Sequence, residues 1–360
     1  MDKTMKSNFQ INLTPIGRYF FGSENTFSAE DRAAGAEVSN YLVRSRLYPQ
    51  QTTILGMLRY TVLEQLGKLH DAPEVKSHLV GTRSFSEHTT TWGVIERLSP
   101  MFLQIDDCRF LPAGKHRWLD ESGIPQTMKP VRYDNSIYPG GRPGYLLDHY
   151  DPKRHSSAYW EDDAGVLIDL NKLFSEQFQV GIEKPRQGEM KNDAFYKQFG
   201  YKVKSGGKAV SFGCYVHFKN DECPLTVGKT YVVSMGADQS LFSMVVTETK
   251  QPPKLHDVEN PNGLVLVSDA ICDMSEVQKL CYSSYTSSVP FRFLETSAST
   301  LYYYSKSKAD AKAMKRSKKY NLLERGSVLF SETPDQVAAL LSQSAAFRNA
   351  GFNHFKTIKI

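Results

Sequence analysis

The stretch QPPKLHDVENPNG, from Gln251 to Gly263, constrains this chain more than any other. It holds two adjacent prolines, then Asn-Pro-Asn-Gly, and almost no apolar side chains. Proline removes a backbone donor and fixes φ, and Asn-Gly favours a turn, so neither a helix nor a central strand runs through it. A chain of 360 residues, 40% of them hydrophobic, carries enough apolar material for one large core or two ordinary ones. The break therefore predicts two units, residues 1–255 and 256–360.

In the first unit NFQINLTP alternates as a strand ending at Pro15, and an aromatic cluster follows at Tyr19, Phe20 and Phe21. EVSNYLVRSRLYP then leads into a helix. Pro49 stops the preceding segment, and Ile54, Leu55, Leu58, Val62 and Leu66 recur at helical spacing until Gly67 ends the run. The first turn carries Gln50, Gln51, Thr52 and Thr53, with Arg44 and Arg46 just before it. Free N–H groups at a helix start, beside hydroxyls and guanidiniums, can cradle a phosphate, although the same residues also serve as plain solvated side chains.

From about 83 to 160 proline, glycine, tyrosine and charge replace any helical stripe, which predicts an insertion of hairpins and loops projecting from the body. The runs YKV, VSFGCYVHF, TYVVSM and LFSMVVTE then predict a sheet. Between GVLIDL and that sheet lies QVGIEKPRQGEMKNDAFY. Gly181 and Gly188 allow close backbone approach there, Lys184 and Arg186 supply charge, and Phe195-Tyr196 opens the next strand, so a nucleotide could lie against this loop. The second unit reads strand, short helix from Met274 to Leu280, aromatic strands, the strand GSVLFS, a helix with Thr333 as cap, Pro334 first and Gly351 as stop, and a last strand in FNHFKTIKI. That order predicts an α+β sandwich with one helical layer on an antiparallel sheet.

The 44 basic residues nearly match the 39 acidic ones, and a net charge of +5 permits an anionic partner without demanding one. Placement says more. Lys306, Lys308, Lys312, Lys315, Arg316, Lys318, Lys319 and Arg325 face only Asp310 and Glu324, which suits counterion-release binding of nucleic acid or, equally, a solvated face. Aromatic residues stand beside basic ones in GRYFFG, RYDNSIYPGGRPGY and FYKQFGYK, the pairing that stacks unpaired bases while holding their phosphates; in strands such rings are also ordinary core. Five cysteines, Cys108, Cys214, Cys223, Cys272 and Cys281, form no Cys-x-x-Cys pair, so neither a disulfide framework nor a structural zinc is expected, and a cytoplasmic location fits. No apolar run is long enough to span a bilayer, and no membrane partner is expected. No histidine–carboxylate set or glycine-rich phosphate fingerprint is present, so catalytic residues, metal and cofactor are all expected to be none.

In their order, LTPIGRYFFG, YLVRSRLYPQQTTILGMLRY, GVIERLSPMFLQ, VGIEKPRQGEMKNDAFY and ERGSVLF resemble the repeat-associated mysterious proteins of CRISPR systems. Within them the match is to the group-5 subunit of a type III-B effector complex. The resemblance implies two ferredoxin-like (RRM-like) domains, the first carrying a thumb at about 83–160. It also implies a non-catalytic subunit of antiviral defence that binds the 5′ handle of the crRNA and bridges the large polymerase-like subunit to the backbone subunit. Target RNA would be met only through the complex. On this sequence the RNA-binding surface would comprise Arg44, Arg46, Gln50, Thr52 and Thr53, then Gly181, Ile182, Lys184 and Arg186, and finally Arg325, Gly326 and Ser327. The alternative in the same superfamily is a metal-independent endoribonuclease that processes crRNA, with His88 or His116 as acid or base.

Overall fold

The computed structural model describes residues 8–27, 41–138, 142–147, 151, 159–182, 195–204, 206–236, 238–249, 255, 258–295 and 315–360. Its centre is a nine-stranded sheet. In spatial order this runs Leu167–Asp169, Tyr159–Asp162, Cys108–Pro112, Phe102–Ile105, Val210–Phe218, Asn8–Pro15, Ser240–Thr249 and Thr230–Met235, with Ile95–Leu98 also paired to Val210–Phe218. The strand Asn8–Pro15 alternates as its sequence predicts: Phe9, Ile11 and Leu13 are buried and meet the helix Gln51–Gln65 through Ile54, Leu55, Leu58 and Val62. Gly67, at φ +66, ends that helix region as expected. Val210–Phe218 is buried along its whole length, which fits a strand covered on both faces.

A second sheet of four strands, Phe174–Ile182, Phe195–Val203, Tyr41–Arg46 and Phe21–Phe27, joins the first through Tyr19, Phe21, Phe212 and Phe242, whose rings lie 5.4–6.3 Å apart. The third sheet belongs to the second unit. Its order is Ser283–Tyr285, Val328–Phe330, Gly263–Leu266 and Phe355–Ile358, all antiparallel. Helices Met274–Leu280 and Pro334–Leu341 cover one face through Val277, Val337 and Leu341. Pro334 opens the second of these helices, as the sequence predicts, and a further short helix, Ala345–Asn349, precedes Gly351.

Two expectations change. The stretch 83–160 does not project as a whole: Trp92, Ile95, Leu98, Met101, Leu103, Phe110 and Trp160 are core residues, and four of its strands join the central sheet. Its prolines and glycines mark turns between short antiparallel strands, each of which buries only a few side chains. Among the described residues two hairpins form separate ladders there, Arg117–Leu119 with Pro125–Thr127 and Pro130–Tyr138 with Arg142–Leu147. The break at Gln251–Gly263 is a change of sheet, not of core. Phe85 of the first unit packs its ring at 5.0–6.4 Å against Phe291, Phe293, Phe347 and Phe352 of the second.

Candidate nucleic-acid interface

The strands Phe174–Ile182 and Phe195–Val203 form a ribbon whose register sets Phe178 opposite Phe199, Gly181 opposite Tyr196 and Ile182 opposite Phe195. Lys184 and Arg186 lie outside the described residues. Side chains alternate across a strand, so Glu176, Phe178 and Val180 share one face with Tyr201, Phe199 and Lys197. The strand Tyr41–Arg46 runs parallel beside it and sets Arg44 next to Phe199. The Arg44 guanidinium stands 5.2 Å from the Phe199 ring centre and 3.8 Å from the Glu176 carboxylate. The Phe178 ring centre is 6.3 Å from that of Phe199, and Phe178 is 72% exposed.

From Glu176 to Val180 every side chain is exposed, so this part of the ribbon has no covered face. Its foot is nevertheless fixed. Tyr19 and Tyr201 exchange both backbone hydrogen bonds at 2.9 Å, and a Cβ on Gly200 would come 2.7 Å from the Tyr19 carbonyl oxygen. On the opposite face Arg18 donates to Gln179 at 2.6 Å and to Gln198 at 2.8 Å. The exposed Phe178 with half-buried Phe199, beside a guanidinium and Lys197, offers flat apolar surface with positive charge at its margin, and that combination stacks bases and attracts phosphates.

The other expected residues are placed differently. Arg46 turns inward and donates to the Pro290 carbonyl at 2.7 Å, and burial pulls its pKa below the ordinary arginine value. Gln50 caps the helix in extended conformation without a side-chain bond. Gln51 is fully buried and donates to the carbonyls of Ser99 at 2.7 Å and Ala350 at 3.0 Å. A Cβ on Gly351 would fall 1.7 Å from that amide nitrogen, so glycine is required for the contact. The helix start therefore ties the two units together on its Gln51 side, while Thr52 and Thr53 stay half-buried.

Arg325, Gly326 and Ser327, expected in a surface glycine loop, are buried. The reason is Asp269. It accepts from the Arg325 backbone N–H at 3.0 Å and from Nε at 3.1 Å, and the guanidinium stacks 4.3 Å from the Tyr48 ring centre. Burial alone would raise the Asp269 carboxyl, but Arg325 outweighs it and holds Asp269 below the ordinary aspartate value. Gly326 completes the tie by donating to Leu266 at 2.7 Å while accepting from Lys115 at 2.9 Å.

His88 is exposed, whereas His116 is 3% exposed and pushed down to about 3, first by burial and then by Lys356 and Arg117. A base that weak and that enclosed is a poor agent for RNA cleavage at neutral pH. Lys306, Lys308 and Lys312 lie outside the described residues. Lys318 pairs with Glu87 at 2.9 Å and lies over Tyr320, which neutralises part of the lysine run. Among the described residues no group of three histidine, cysteine, aspartate or glutamate side chains could hold a metal ion, and no helix is long and apolar enough to cross a membrane.

The model of one family, CRISPR-associated protein (Cas_Cmr3), matches residues 11–360. The chain belongs to this Cas_Cmr3 family. That agrees with the type III CRISPR subunit of the repeat-associated superfamily indicated by its motifs. No curated relative matches the chain. Among solved structures, chains of the type III-B Cmr-beta complex are similar to it. One, bound to cognate target RNA and AMPPnP, has 13% identity and a TM-score of 0.49 over 96% of this chain and 95% of that one. Another, bound to cognate target RNA, has 12% identity and a TM-score of 0.48 over 97% and 99%. A chain of the Csm3-Csm4 subcomplex of a type III-A interference complex has 9% identity and a TM-score of 0.36 over 90% and 92%. The Cas_Cmr3 match also covers the stretch from 83 to 160, so that region is family material. Of the signals for the exposed face, FYKQFGYK contains Lys197 and Phe199. Phe178 was legible only as an apolar residue between Gln177 and Gln179.

Proposed function

We propose that this Cas_Cmr3 chain binds the 5′ handle of a crRNA within a type III-B effector complex, without cutting it, and bridges the large polymerase-like subunit to the backbone subunit. The observation that carries the RNA-binding part is the open face of Phe178, Phe199, Arg44 and Lys197 at the foot of the Gly181–Ile182 hairpin. Single-stranded RNA needs stacking surface and phosphate charge together, and this face supplies both. The hairpin fits the role of thumb better than the stretch 83–160, because both its faces are open from Glu176 to Val180. The strand–helix–strand–strand–helix–strand order of the third sheet and its two covering helices, with further short strands between Tyr285 and Val328, supports reading that unit as ferredoxin-like.

The test pairs affinity with melting. Phe178→Ala and Arg44→Ala should melt like the parent, since both side chains are exposed, and should weaken binding of an RNA with the natural handle. Stacking losses of about 1–3 kcal/mol per base apply to the phenylalanine. Variants that melt normally and bind the handle as tightly as the parent would remove this face from the function. Repeat RNA incubated with the protein should stay intact; cleavage abolished by His88→Ala would establish the processing enzyme instead.

A further inference from the structure

Where the strand Phe355–Ile358 passes Arg117–Leu119 and Tyr159–Asp162, a cavity of about 470 Å³ lies between the two units. Glu161 sits in its lining and touches both Arg117 and Lys356. The three side chains are 10%, 22% and 11% exposed, in that order. One carboxylate thus faces two cations. Removing each ion from water costs several kcal/mol, and Coulomb attraction offsets that only where the charges balance. Here one positive charge is left over.

Two nitrogens in the same lining lack a hydrogen-bond partner, Arg117 Nε and His116 Nδ1. Buried polar groups are nearly always satisfied, and it is the surplus charge beside these two, at the wall of the cavity, that points to something that binds there. Gly114 packs directly on the imidazole, whose Nδ1 is closed off from solvent: its φ is +92°, and a Cβ would stand 2.8 Å from Nδ1. The acids at the rim are already engaged. Asp163 pairs with Arg109 at 2.8 Å, and Asp162 accepts the backbone N–H groups of Ala164 and Val166 at 3.0 and 2.8 Å. Lys359 adds another cation to the lining.

We propose that this cavity binds a tetrahedral oxyanion, a phosphate group held by Arg117 and Lys356, with Glu161 fixing the two cationic heads. The anion supplies the missing counter-charge. Burial and Arg117 push the Lys356 ammonium down to about 7, so an arriving anion would strengthen its charged form. The cavity is wider than one phosphate needs, which leaves room for whatever carries it. Free phosphate and an RNA phosphate share this chemistry. The site stands independently of the ribbon face.

The experiment melts the full chain in inorganic phosphate and in chloride at equal ionic strength. Phosphate should raise the parent Tm by about 2 °C or more. Lys356→Met leaves Glu161 and Arg117 one to one, and its phosphate shift should vanish. Glu161→Gln exposes two cations to the anion, so its shift should exceed the parent's even if its starting Tm is lower. Equal shifts in the parent and Lys356→Met would overturn the proposal, as would no shift in the parent. A second arm measures RNA affinity at matched salt: a loss in Lys356→Met assigns the phosphate to RNA, and unchanged RNA affinity in that variant, with its phosphate shift lost, assigns it to a free anion.

Discussion

At Asp269 the buried negative charge is hydrogen-bonded to one arginine, Arg325, with Arg46 and Glu324 as the next charges around that pair, whereas at Glu161 it touches two cations. Both centres lie where the first unit packs on the second. In the first, Asp269 accepts twice from Arg325, and the guanidinium face rests on Tyr48. In the second, Arg117 and Lys356 share one carboxylate, and two neighbouring nitrogens bond to nothing. The first is balanced in charge, although its Arg325 Nη1 also lacks a hydrogen-bond partner, and serves architecture. The second is unbalanced, and its surplus charge makes it receptive to a ligand. Burial of charge by itself therefore does not distinguish a structural tie from a site; the balance of charges does.

The most damaging way to probe this contrast is Asp269→Ala, which strands the Arg325 charge in the interior. Unfolding in urea should show a loss of about 3–5 kcal/mol, and a loss below about 1 kcal/mol would mean that the pair is no tie.

Acid should separate the centres next. His116 and His354 are pushed down to about 3 and about 4, both chiefly by burial. Their folded values lie below the unfolded one, so their contribution is complete above about pH 6.5 and is lost as pH falls towards the folded values. Stability should fall by up to about 1.4 kcal/mol per pH unit for each histidine. His116→Leu should remove its share of that slope between about pH 6.5 and about pH 5. Asp269, held below the ordinary aspartate value, should not contribute until the solution is more acidic still. A slope unchanged in the leucine variant would place the acid sensitivity elsewhere.

Lys356→Met should change stability by less than about 1 kcal/mol or raise it, because it leaves a balanced pair and exchanges a costly ammonium for an apolar chain. A loss as large as that of Asp269→Ala would erase the contrast. The smallest effect is expected at the surface: Arg44→Ala removes a 3.8 Å pair between exposed side chains, worth about 0–1 kcal/mol by melting. A larger loss would make Arg44 part of the architecture and weaken its case as an RNA contact.

Much of the local structure was legible. Pro49 and Gly67 bracket a helix that the structure has at Gln51–Gln65, and Pro334 opens another. The alternation of NFQINLTP gave the face that is buried. The stretch 83–160 was misread because short strands such as FLQI and CRFLP are too brief for periodicity to separate them from loops. At the interface Arg44 was foreseen at a surface and lies there, but its aromatic partner depends on a parallel pairing with a strand about 155 residues later, a reach beyond any local rule.

The sequence by itself determined where elements start and stop, the α+β class and the kinship, because caps, breakers and periodicity act within a few residues of themselves. Tertiary structure alone decided the fate of the charges. Arg325 looks like a surface arginine beside a glycine until Asp269, 56 positions earlier, is brought against it. Lys356 becomes half of a surplus only when the last strand lays it on Glu161, 195 positions away. An ion's role depends on its solvent and its counter-charge, and both are properties of the packed chain.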